Sequence, residues 1–159
     1  MKKIHLRVVL PKNRDNVGTL RVEVDGRPLA DFRVLGRGSR GPGDTSLRSK
    51  GNTPTGTYSA NQIIETATFP QASYGPWGAV RLQPLSGDAL LAEVLGRHGL
   101  LIHGGAPGTT GPWKGSLKPT HGCLRVSNDD MKKLRGMLEE NRTDGKSSLV
   151  SEVTVSVSE

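Results

Sequence analysis

The chain carries a single cysteine, Cys123, inside the run Thr120-His121-Gly122-Cys123-Leu124-Arg125. Upstream, Leu101-Ile102-His103-Gly104-Gly105 supplies a second histidine from a different part of the sequence. A cysteine that attacks a carbonyl needs a base to take its proton, N–H donors for the tetrahedral oxyanion, and a group that orients the base. His103, delivered by its own strand, is the better base candidate. His121 lies two residues from the sulfur, near enough to join the catalytic set yet constrained in reaching the thiol. Gly122 and Cys123 sit in a tight turn whose N–H groups can converge on one point, with His121 adding another. A glycine just before the nucleophile lets substrate approach without a Cβ in the way. A helix is expected after the cysteine, and its N-terminus, with the small-residue turn, favours a thiolate.

The spacing has a familiar form. His103, sixteen intervening residues, then Thr120-His121-Gly122-Cys123 with apolar Leu124 resembles the signature of the L,D-transpeptidase (YkuD-type) catalytic domain family. Asn52-Thr53-Pro54-Thr55-Gly56-Thr57-Tyr58 is similar to that family's Thr-Pro-Thr-Gly-aromatic strand entry, as is the hairpin around Asp25-Gly26. The likeness runs from about Thr19 to Val157, so residues 1–159 read as a single catalytic domain.

The resemblance implies a two-step acyl transfer on peptidoglycan stem peptides. Cys123 attacks the carbonyl before the terminal D-alanine of a tetrapeptide, D-alanine leaves, and a thioester remains. An acceptor amine resolves it in a transpeptidase, water in an L,D-carboxypeptidase, a free D-amino acid in an exchange reaction; the sequence leaves all three open. The resemblance also implies that the Gly104 carbonyl orients His103, that main-chain N–H groups around His121 to Cys123, with Thr120 beside them, form the oxyanion site, and that carbapenems acylate Cys123. It implies no metal or organic cofactor. Many members have Asn where this chain has Arg125 and others have Arg, so Arg125 bears on substrate preference; it can hold a stem carboxylate by paired hydrogen bonds. Trp113 reads either as a lid residue over the cleft or as a loop aromatic packed on the scaffold.

Composition sets wider limits. The 159 residues suffice for one real core, and 33% hydrophobic with 4% aromatic residues, 21 Gly and 10 Pro suit short strands and many turns. The formal charge of +7 fits a polyanion or an acidic peptide. Lys and Arg are dispersed without an aromatic-interleaved basic run, which argues against nucleic acid. One cysteine allows no internal disulfide, and no apolar run is long enough to span a membrane. Met1-Lys2-Lys3-Ile4-His5-Leu6-Arg7 is basic but has no apolar stretch behind it, so no cleavable secretory signal is expected. The chain is then expected to be cytoplasmic, a trimmed mature fragment, or carried to the periplasm or cell wall by a route that needs no cleaved signal. That raises a second reading, an interbacterial effector with a secretion machine and an immunity protein as partners. A third, of a different class, is a non-enzymatic wall-binding or metal-binding module using His98, His103, His121 and Cys123.

Several elements must position these groups. Ile4 to Leu10 reads as a strand. Leu20, Val22 and Val24 alternate with charged residues in the period of a half-buried strand, Asp25-Gly26 marks a hairpin, and Leu29 to Leu35 returns. Gly36 to Asn52 is a basic, breaker-rich loop, expected to be a mobile lid or poorly ordered. Strands are expected from Gly56 to Ile64, Ala79 to Leu82 and Gly99 to His103, with a short helix over Leu90 to Leu95. Ser127 with Asp129 and Asp130 begins the principal helix, and Met131, Leu134 and Leu138 mark its buried stripe. That helix should fade by Asn141 to Gly145, and Val153, Val155 and Val157 mark a last strand. His5 and His98 read as structural or exposed. The whole is a mainly antiparallel β-sandwich with one principal helix after the nucleophile.

Overall fold

The computed structural model describes residues 2–141 and 152–159. Among the described residues there are eight strands: β1 (Ile4–Val9), β2 (Gly18–Val24), β3 (Arg27–Val34), β4 (Gly56–Ile64), β5 (Ala79–Ser86), β6 (Leu101–His103), β7 (Leu124–Arg125) and β8 (Val153–Ser158). The described helices are α1 (Gln71–Tyr74), α2 (Asp88–Val94), α3 (Asn128–Glu140) and a 3₁₀ turn, Gly111–Trp113. The mainly β class and the single long helix after Cys123 are as the sequence suggests.

All eight strands join one sheet in the order β3-β2-β1-β8-β4-β5-β6-β7, antiparallel except for β1 with β8 and β6 with β7. The two ends of that sheet meet. Leu35 and Arg125 exchange both backbone hydrogen bonds at 2.9 Å, so the sheet is nearly closed and its layers face each other across the core. β1, β2 and β3 form the meander, and Asp25 (φ 50°) and Gly26 (φ 81°) both take the left-handed turn conformation.

Alternation puts Ile4, Leu6 and Val8 of β1, Leu20 and Val22 of β2 and Val153, Val155 and Val157 of β8 inside. Each such side chain contributes about 1.5–3 kcal/mol on burial. Tyr58 is fully buried, and its hydroxyl donates to Pro54 O at 2.6 Å, which fixes the Pro-Gly entry to β4. Met131, Leu134 and Leu138 pack α3 on this core. Ser127 caps it: its Oγ accepts from the Asp130 N–H at 3.1 Å. Ser127→Ala should therefore lower stability by about 1 kcal/mol, read as a shifted denaturant midpoint at unchanged slope. The helix ends at Glu140 with Asn141 as its cap; the rest of its expected fading, to Gly145, lies outside the described residues.

Two expectations are corrected here. The loop from Gly36 to Asn52 is tied down rather than free. Asn52 receives the Gly38 N–H on its Oδ1, donates to Gly43 O, and gives its own N–H to Thr45 Oγ1. Ser39 N–H donates to Lys50 O across the loop. Buried polar partners, invisible in a breaker-rich composition, supply the order. α3 is capped at Ser127 as expected, but β7 lies between it and the cysteine, so the helix N-terminus sits four residues beyond Cys123. The helix dipole acts within its first turn, so it is not what polarises the thiol.

Candidate active site

The site lies at the seam where the sheet closes. Parallel pairing sets Ile102 beside Leu124 and His103 beside Arg125. Because side chains alternate, Ile102 and Leu124 point into the core, both fully buried, and Leu101, His103, Cys123 and Arg125 share the opposite face. His103, Cys123 and Arg125, together with Tyr74, His121 and Lys118, line one cavity of about 600 Å³. Among the described residues no carboxylate lines it.

His103 is buried, and its Nδ1 lies 2.7 Å from Gly104 O. A carbonyl only accepts, so Nδ1 carries the proton and Nε2 is left as the free lone pair. Burial pulls the imidazole down to about 4, with the Arg125 charge acting in the same direction and the Gly104 bond opposing. The ring is therefore neutral near pH 7. Tyr74, delivered by α1, packs on it at 4.9 Å between ring centroids.

Cys123 is half-buried. Its sulfur receives the Leu101 N–H at 3.3 Å and lies 3.6 Å from Gly99 O, the carbonyl to which the S–H donates. Burial pushes the thiol up; the Leu101 N–H, Arg125 and Arg97 oppose without overcoming it. A thiol that donates to a carbonyl is protonated, so the resting site holds a neutral thiol and a neutral imidazole. The thiolate expected from the sequence is not the resting form, because desolvation outweighs two nearby guanidinium groups.

Around the sulfur, Thr120 Oγ1 donates to Cys123 O at 2.8 Å and accepts the Gly122 N–H at 3.0 Å. The Gly122 N–H is thus occupied, contrary to its expected place among the oxyanion donors. The N–H groups of His121 and Cys123 have no acceptor among the described residues. Thr53 Oγ1, from the Thr-Pro-Thr-Gly entry, holds Gly122 O at 2.6 Å. Gly122 itself has φ 115°, open only to glycine without strain.

Arg125 is buried, donates from Nη1 to the same Gly104 carbonyl at 2.7 Å, and has no partner for its Nε among the described residues. Desolvation brings it down to about 10, still cationic at neutral pH. The imidazole of His121 is exposed at the cavity mouth. Trp113 does not line this cavity; it stacks on Arg37 at 5.1 Å, the scaffold alternative. Among the described residues no three of His, Cys, Asp and Glu come together as metal ligands. Sequence reasoning missed Arg97, Thr53 and Tyr74. Only Thr53, inside a recognised motif, carried a signal; a lone arginine or tyrosine does not announce burial beside a site.

A model of the L,D-transpeptidase catalytic domain family, YkuD, matches residues 13–155. No curated protein matches the chain. Among solved structures, Bd1075 of Bdellovibrio bacteriovorus is 18% identical with a TM-score of 0.54, over 95% of this chain and 46% of that one. A mutant L,D-transpeptidase of Enterococcus faecium is 17% identical with a TM-score of 0.51, over 98% of this chain and 49% of that one. L,D-transpeptidase 1 of Mycobacterium tuberculosis is 15% identical with a TM-score of 0.49, over 99% of this chain and 63% of that one. The chain thus spans less than two thirds of each of these structures, and the likeness of the first two is one of fold.

Proposed function

The chain belongs to the L,D-transpeptidase catalytic domain family, and from that premise we propose that it transfers the acyl group of a peptidoglycan tetrapeptide stem through a thioester on Cys123. One catalytic domain accounts for the whole chain. The observation that carries the reading is the His103 Nδ1–Gly104 O bond, which leaves Nε2 as the base in the cavity that also holds the thiol. The sulfur leaves Gly99 O by a turn of the Cys123 side chain and gives its proton to Nε2. It then attacks the carbonyl before D-alanine. The N–H groups of Cys123 and His121 receive the oxyanion, and the imidazolium returns the proton to the departing D-alanine amine.

Two features suit such a substrate. Among the described residues the cavity carries Lys118 and Arg125 and no acid, so it attracts the carboxylates of a stem peptide. Arg125 has donors to spare beyond Gly104 O and keeps its charge at neutral pH, which suits a paired bond to one of those carboxylates. The thioester is resolved by an amine, water or a free D-amino acid.

Incubation with tetrapeptide muropeptides tests this. Mass spectrometry should show the protein heavier by one stem less D-alanine, with D-alanine released in equal amount. A single carbapenem molecule should add to Cys123. Full-length stems returned intact, with no adduct on a protein whose thiol is alkylated normally, would overturn the proposal.

A further inference from the structure

Arg97 is buried and has no carboxylate partner among the described residues. Its guanidinium instead collects four backbone carbonyls. Nη1 donates to Ser46 O at 2.6 Å and Asn52 O at 2.8 Å; Nη2 donates to Gly51 O at 3.2 Å and His121 O at 3.3 Å. Three of these belong to the loop before β4 and the fourth to the turn that presents the nucleophile. A Cβ on Gly122 would collide with Nη2 and with Gly51 O, so the turn lies directly on the guanidinium. Arg97 does not line the thiol cavity; it approaches from behind.

We propose that Arg97 is a positioning residue for the thiol: it gathers the carbonyls of Gly51, Asn52 and His121 on the side away from the cavity, so that the turn from His121 to Cys123 keeps the shape that ties the Gly122 N–H to Thr120 and leaves the Cys123 N–H facing substrate. A peptide plane has two polar ends, and fixing the oxygen of one end aims the N–H that follows it. Holding His121 O from behind directs the Gly122 N–H to Thr120. Thr53, itself anchored beside Asn52, does the same to Gly122 O and so aims the Cys123 N–H. Lysine cannot replace this, because only the planar fork offers fixed, divergent donors. The positive charge close behind the sulfur also favours its anion as the proton leaves.

The catalytic purpose rests on the acyl-transfer reading, so the test uses a reaction that needs no particular substrate. Iodoacetamide alkylates a thiolate whatever the enzyme does. The rate is followed against pH for the parent, Arg97→Gln and Arg97→Lys, each checked for folding by thermal melting. The other groups facing the thiol (His98, His103, Lys118, His121, Arg125 and Tyr74) are unchanged throughout. Arg97→Gln should slow alkylation at pH 7 about tenfold, with the midpoint of the profile raised by about one pH unit. Arg97→Lys should slow it by a smaller factor, roughly threefold, since charge is kept and the fork is lost. A purely structural role moves the rate the other way, because loosening the turn exposes the half-buried thiol to the reagent. Profiles that superimpose on the parent's, or faster alkylation in either folded variant, would overturn the proposal. Should Arg97→Gln not fold, Arg97→Lys decides by the same sign. A parent that alkylates normally and never takes an acyl group would sink the transferase reading and leave the Arg97 result standing.

Discussion

Changing Cys123 to serine lowers acyl transfer by about 10⁴-fold or more, although one atom is exchanged and the fold melts close to the parent. The reason lies in the base. His103 is oriented by a neutral carbonyl, not by a carboxylate, and the nearest charge is the Arg125 guanidinium, which shares that carbonyl. Burial brings the ring down to about 4, the Arg125 charge also disfavours an imidazolium, and the neutral carbonyl offsets only part of this. A base that weak can accept a proton from a thiol as the sulfur attacks, since thiols are the more acidic and sulfur the better nucleophile. A hydroxyl holds its proton far more tightly, and the Gly104 carbonyl alone stabilises only weakly the charge that must appear on the ring. Serine enzymes solve this with an aspartate behind the histidine; among the described residues no carboxylate lines this cavity. Steady-state release of D-alanine measures the effect. A serine variant retaining a tenth of the parent rate would mean that His103 is a stronger base than its surroundings allow.

That Cys123 and His103 share one cavity, with the Gly104 carbonyl on the ring, was legible because each is carried by a local motif: His103 with Gly104 in one run, Thr120 to Cys123 in another. The strands with clear alternation were legible for the same reason, β2 and β8 above all. What a linear pattern cannot convey is where β8 goes. It is last in the chain yet sits mid-sheet, parallel to β1 and antiparallel to β4, because its three valines need core neighbours on both sides. The closure through Leu35 and Arg125 is equally non-local, and it is what buries Arg125 beside His103. The resting protonation of the thiol is not carried by a linear pattern either. Glycine turns and helix signals are read along the chain, whereas desolvation is set by everything that packs around the sulfur. Arg97 shows the principle in its sharpest form, since nothing in Leu95-Gly96-Arg97-His98 distinguishes a surface arginine from one bound to four carbonyls.

Acidification should destabilise the fold through the same imidazole that serves as base. In the folded chain His103 titrates at about 4, and in the unfolded chain near its ordinary 6.5. Between those values the unfolded state binds a proton that the folded state refuses, so stability rises with pH across the window. The contribution is fully present above pH 6.5 and is lost progressively as pH falls toward 4, amounting to about 3 kcal/mol. His5, lowered chiefly by burial, adds in the same direction. His103→Asn separates the two: the amide nitrogen can take the place of Nδ1 and donate to Gly104 O, but it offers neither a titrating group nor a base. Denaturant midpoints taken at pH 7 and pH 4 should differ much less in this variant than in the parent, while acyl transfer at pH 7 falls by about 10³-fold. An undiminished pH slope in His103→Asn would assign the acid sensitivity elsewhere, and with it the claim that His103 stays neutral in its pocket would fail. Lost slope together with lost transfer is the result that a single buried imidazole, neutral at rest and charged only while the proton is in passage, requires.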